Sequence, residues 1–142
     1  MVKRASRCMQ RLDETGQAIV EFALVAPILL LLVLGIVDFG RAFMIKQVLI
    51  DAAREGGRVA VVADPTTTID TVAHRINLQL AAAGVDTAAA VKSVSGFQGG
   101  TGVPATVSIT YPYSLLWIRP FMGWTGSQGS ITISTSVTFR NE

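Results

Sequence analysis

The sequence predicts an α+β fold: a long N-terminal transmembrane helix, a second helix, and a small antiparallel sheet of about three strands. Three observations carry this. An apolar run of membrane length, Gly16 to Phe39 (GQAIVEFALVAPILLLLVLGIVDF), follows a basic head containing Lys3, Arg4, Arg7 and Arg11. Helix-forming sequence without proline then continues from Asp38 to Ala63. Beyond it, Val103–Tyr111 and Ile131–Phe139 alternate apolar and polar residues with the period of two expected of half-buried strands.

The apolar run sets the compartment. Between Ala18 and Val37 there are fourteen Leu, Ile, Val or Phe residues. At roughly −0.3 to −0.6 kcal/mol each they favour insertion by about −4 to −8 kcal/mol. One acid, Glu21, opposes this by about 3 kcal/mol at a helix centre and by less near the interface. The segment is therefore expected to insert as a retained anchor. A cleaved secretory signal has a shorter apolar core, about 7–15 residues, and small residues at its cleavage site. Here Phe22–Val37 is uncharged throughout and is flanked by Asp38 and Arg41.

Charge then gives the orientation. The chain carries a net charge of +2, and residues 1–16, with four basic and two acidic side chains, supply all of it. This basic head is topogenic and makes no case for nucleic acid. By the positive-inside rule it stays in the cytoplasm, and the chain after Asp38 lies across the membrane. The single cysteine, Cys8, lies in this leader, so the exported part has no disulfide. The expected divisions are a basic leader (1–16), a transmembrane and projecting helix (17–63), and an exported α+β head (64–142).

A helix over residues 17–63 is about 70 Å long, against about 30 Å of hydrocarbon, so roughly half of it projects. Pro27 removes a backbone donor and should kink the span. Phe39, Phe43, Ile50 and Ala53 fall on one apolar stripe of the projecting part. Gly56-Gly57 is a point of weakness, and it belongs to small-residue rows suited to close packing against this chain's own sheet. Pro65 ends the helix. In the head, residues 66–68 cap a second helix at about 69–83, with Ile69, Val72, Ala73, Ile76 and Leu80 on its apolar face and Gly84 as its stop. Strands follow at Ala90–Phe97, Val103–Tyr111 and Ile131–Phe139, the first two joined by the turn Gly99-Gly100-Thr101-Gly102. The projecting helix is the expected cover for one face of the sheet.

Catalytic chemistry finds little support. The lone histidine, His74, follows Asp70 by four residues and reads as an exposed helical pair. One histidine and no exported cysteine cannot build a zinc or thiolate site. The segment GFQGGTG lacks the Gly-Lys-Ser/Thr end of a phosphate-binding loop. No catalytic residue, metal ligand or cofactor is therefore expected. The connection Ser114–Gly126 (SLLWIRPFMGWTG) is unusually apolar, and Trp117, Phe121 and Trp124 in it are candidates for a partner or membrane contact.

The border between leader and apolar run carries the sharpest motif. Gly16 is followed by Gln17-Ala18-Ile19-Val20-Glu21-Phe22, so a cut after Gly16 makes Glu21 the fifth mature residue. This resembles the processing site of type IV prepilins. The wider run VEFALVAPILLLLVLGIVDFGRAF, then DAAREGGRVAVV and the C-terminal ITISTSVTFRNE, resembles the TadE-like family of pseudopilins. The likeness covers most of the chain and is specific mainly over residues 16–62. It implies a pilin-like fold and a minor pilin or pseudopilin of a Tad/Flp (type IVc) pilus acting in adhesion. It also implies cleavage by a prepilin peptidase at Gly16–Gln17, with Glu21 and Phe22 serving processing and Glu21 serving assembly. The implied partners are that peptidase, the Tad inner-membrane assembly platform, other pilins and pseudopilins, and the lipid bilayer. A head this large argues against the bulk filament subunit. The alternative is an uncleaved single-span anchor presenting a periplasmic or extracellular binding domain.

Overall fold

The computed structural model describes residues 2–62, 66–117, 119 and 129–141, with side chains described from residue 16 onward. Two helices precede three strands: α1 Val2–Val61, α2 Ile69–Ala82, β1 Val91–Ser95, β2 Pro104–Ser114 and β3 Ser130–Arg140. The α+β expectation holds. The chain divides into two compact units, Met1–Val37 and Asp38–Glu142.

In the first unit, α1 begins at Val2 rather than near Gln17. Residues 2–15 contain neither glycine nor proline, so nothing local interrupts the helix. Pro27 lies inside it. From Ile19 to Val37 the large apolar side chains are mostly exposed, Phe22 at 70% and Ile36 at 65% among them. A helix apolar all round buries no face on protein, as a membrane span requires. Among the described residues one helical stretch, Gly16–Val61, is long and apolar enough to cross a membrane.

The second unit is built around a three-stranded antiparallel sheet in the order β1-β2-β3. β2 pairs with β3 over its whole length, from Pro104↔Arg140 to Ser114↔Ser130, whereas β1 covers only Ser95↔Thr106 to Val91↔Thr110. The alternation read from the sequence is real: Ala105, Val107, Ile109 and Tyr113 on β2 are buried. Thr106 and Thr138 meet across the pair through their hydroxyls at 2.9 Å. Loop 96–103 joins β1 to β2 as a structural turn. Asn141 closes it, its side-chain amide donating to the carbonyls of Gly96 (2.9 Å) and Val103 (3.0 Å).

α2 is capped by Thr68, whose hydroxyl accepts from the Thr71 amide while the Thr71 hydroxyl accepts from the Thr68 amide. It ends at Gly84, where φ is +71°. Val72, Ile76 and Leu80 are buried, but Ile69, expected on the same face, is 53% exposed in the first turn. The Lys92 ammonium ties β1 to this helix, donating to Asn77 Oδ1 at 2.7 Å and to the Thr87 carbonyl at 2.8 Å.

The part of α1 in this unit covers the core through a stripe that keeps Ala53 of the expected one but turns its two phenylalanines outward. Phe39 and Phe43 are exposed at 67% and 74%. The buried positions form the row 38, 42, 45, 49, 52, 56 and 60, in steps of three or four residues, widened by 53 and 57. Apart from Asp38, Ile45 and Leu49 they are alanine or glycine, and close approach is the reason. A Cβ on Gly56 would meet Ile76 Cγ1 at 2.6 Å. One on Gly57 would overlap the Phe139 ring. The pair is thus a contact with α2 and β3 rather than a break, and α1 runs through it to Val61. The expected stop at Pro65 lies outside the described residues.

Candidate functional site

Two regions hold the residues singled out from the sequence, one in each unit. At the head of the apolar run, Gly16, Gln17, Glu21 and Phe22 all lie in α1 and are exposed. Around Gly16 nothing approaches within 4 Å of where a Cβ would stand. Gln17 and Glu21 are one helical turn apart, an i,i+4 pair on one face. The Gly16–Gln17 peptide bond is helical, so any peptidase must unwind it first. Glycine makes that local unwinding cheaper by about 1 kcal/mol than alanine would.

In the second unit, Trp117 is 51% exposed and Leu116 beside it 54%. Phe121 and Trp124 lie outside the described residues. The backbone of this segment is held by a residue that sequence reasoning treated as a mere flank. Asp38 is fully buried, and its carboxylate oxygens accept from the amides of Leu116 (3.3 Å) and Trp117 (3.0 Å). A buried carboxylate needs such donors, because desolvation without them is costly. The signal that could have found it was spacing. Asp38 sits at the head of the 38-42-45-49 row, on the inward face, while an acid ending a membrane span is ordinarily expected in water.

Tyr113 packs close to this carboxylate and is itself buried. Its hydroxyl is pushed above the ordinary tyrosine range, first by burial and then by the negative Asp38; Arg41 nearby pulls the other way. Among the described residues no atom meets strict hydrogen-bond geometry with that hydroxyl.

His74 and Asp70 are both exposed, but no ion pair joins them. Arg54–Asp51 and Arg58–Glu55 do form ion pairs, both i,i+3 on α1. An exposed pair contributes about 0–1 kcal/mol, too little to hold two flexible side chains together. No group of three or more His, Cys, Asp or Glu side chains capable of holding a metal occurs among the described residues. In the loop 96–103, the carbonyls of Gly96 and Val103 are taken up by Asn141.

Residues 16–58 match the family model described as TadE-like protein, the family that the sequence resembles. The match starts at Gly16, runs through the apolar span and ends just past the Gly56-Gly57 contact, leaving α2 and the sheet outside it. It associates the chain with Tad pilus systems. No curated protein and no solved structure matches the chain.

Proposed function

We propose, from a TadE-like match that begins at Gly16, that this chain is a minor pilin or pseudopilin acting in the biogenesis of a Tad/Flp pilus used in adhesion. The basic leader is cytoplasmic and is removed by a prepilin peptidase after Gly16. Pro27 kinks the remaining helix, which lies in the inner membrane or the fibre core, and the α+β head is exported. Its partners are the peptidase, the Tad assembly platform, other pilins and the bilayer.

The observation that carries this reading is the sequence around one bond. A glycine with open space around it precedes a membrane-length apolar run that carries one exposed acid five residues on. Glycine offers a peptidase extended conformations and no side chain to obstruct approach. An acid inside an apolar helix is expensive unless paired. The new amino group on Gln17 of an adjacent subunit supplies the partner, so Glu21 acts in assembly.

Intact mass of the membrane-extracted protein tests this. The expected species begins at Gln17, and Glu21→Ala is cleaved but incorporated poorly into pili. A full-length chain as the sole product in cells with an active prepilin peptidase overturns the reading. It leaves the uncleaved anchor presenting a binding domain.

A further inference from the structure

We infer that the membrane-proximal end of the head is a lipid-contacting collar, seated on anionic phospholipid headgroups and held in place by Asp38. The inference rests on reading α1 as a membrane span, which its test separates from the collar itself.

Position along the chain comes first. The uncharged run ends at Val37, so a membrane that accommodates it has its surface near Asp38. Each residue of helix rises about 1.5 Å. Phe39, Arg41 and Phe43 therefore stand about 1.5, 4.5 and 7.5 Å above that level. The headgroup layer of one leaflet is about 5–8 Å thick, taking the difference between the full bilayer and its hydrocarbon core. All three fall within it. Lys46, at about 12 Å, reaches down by snorkelling.

Geometry comes second. The buried row 38-42-45 faces the sheet, and both flanks of that row remain open. On one flank Phe39, Phe43 and Lys46 border a groove of about 430 Å³ with Ile131 of β3. On the other, Arg41 and Met44 border a groove of about 270 Å³ with Leu116. The carboxylate of Asp38 holds the amides of Leu116 and Trp117 against the first residue of this part of α1. Exposed apolar side chains therefore occur on two sides of the helix within the first two turns beyond Asp38, the distribution that a membrane surface around the helix would contact.

Charge decides the occupant. From residue 38 to 46 the only acid is Asp38, which is buried, while Arg41 and Lys46 are exposed. Arg119, two residues beyond Trp117, is also exposed. A second copy offering the same surface would set cation against cation. Anionic headgroups complement it, with aromatic rings at the interface and cations at the phosphates.

The test uses the full chain carrying Trp124→Phe, which leaves Trp117 as its one tryptophan, in vesicles of phosphatidylethanolamine and phosphatidylglycerol. Expected is strong quenching of Trp117 by lipids brominated near the carbonyl region, weaker quenching by deep bromines, and little by aqueous iodide, at every protein-to-lipid ratio. Adding Asp38→Ala should make Trp117 iodide-sensitive while carbonate-resistant membrane association and helix content are unchanged. A chain retained after carbonate extraction whose Trp117 is open to iodide overturns the collar alone. Protection that disappears on dilution with lipid assigns the surface to a second copy instead. A chain released by carbonate overturns the membrane reading and the collar with it.

Discussion

The same helix is built in opposite ways on either side of Val37. Before it, bulky Leu, Ile, Val and Phe side chains are exposed, and almost nothing is buried. After it, the bulky residues Phe39, Phe43 and Met44 remain outside, while Ala42, Ala52, Ala53, Gly56, Gly57 and Ala60 are inside. The difference shows what each environment rewards. Lipid accepts large apolar surface in any direction, so a candidate membrane span such as residues 19–37 needs no preferred face. A sheet and a second helix reward close approach, so the contact row of α1 is small and the residue filling the centre, Leu49, is fully buried.

The sharpest way to break this comparison is to truncate one leucine in each half. Leu49→Ala is expected to cost the head about 2–5 kcal/mol, because the cavity is enclosed on all sides. Leu30→Ala, at a position 53% exposed, should leave the unfolding of the head within about 0.5 kcal/mol of the parent. Denaturant titration of the detergent-solubilised chain, followed by tryptophan emission, measures both. Equal losses would mean that the first unit packs on protein after all.

A smaller effect separates two glycines of the second unit. Gly56→Leu forces Ile76 and Val72 aside and should cost about 3 kcal/mol, the upper end of the usual overpacking range. Gly40 has nothing within 4 Å of a Cβ position. Gly40→Ala should therefore stabilise the helix by up to about 1 kcal/mol. If both substitutions destabilise, the open flanks of α1 are less open than the geometry indicates.

The smallest expected effect is at Tyr113. Its raised pKa means that the folded state favours the neutral phenol. That contribution is fully present below the ordinary value of 10.0 and is lost as pH rises through the folded-state value. Tyr113→Phe should change stability by less than about 1 kcal/mol at neutral pH, since among the described residues no atom meets strict hydrogen-bond geometry with the hydroxyl it removes. The variant should also lose less stability above about pH 10 than the parent does. Parallel stability profiles for the two proteins across that range would show that the phenol ionises alike in the folded and unfolded states.

Much of the architecture was legible without coordinates. The Thr68 cap, the Gly84 stop, the strand alternation and the turn at 99–102 are local features, each settled by residues within a few positions of one another. Gly16 and Glu21 stood out for a related reason: they mark the contrast between a charged leader and an apolar run, a contrast visible in one dimension. The face of α1 was not legible this way. Ranking positions by hydrophobicity selected Phe39 and Phe43, whereas contact with the sheet selected the smallest side chains.

The sequence by itself therefore determined the order of elements, the membrane-length helix and the motif at its head, because propensity, periodicity and insertion energy depend on neighbours along the chain. Only the tertiary structure decided that Asp38 turns inward, that it holds Leu116 and Trp117 across 78 and 79 positions of sequence, and that Gly56 and Gly57 are contacts rather than a break. Those outcomes depend on what lies opposite a residue in space. A buried carboxylate is tolerable only where distant amides meet it, and a glycine is needed only where another element comes too near for a side chain.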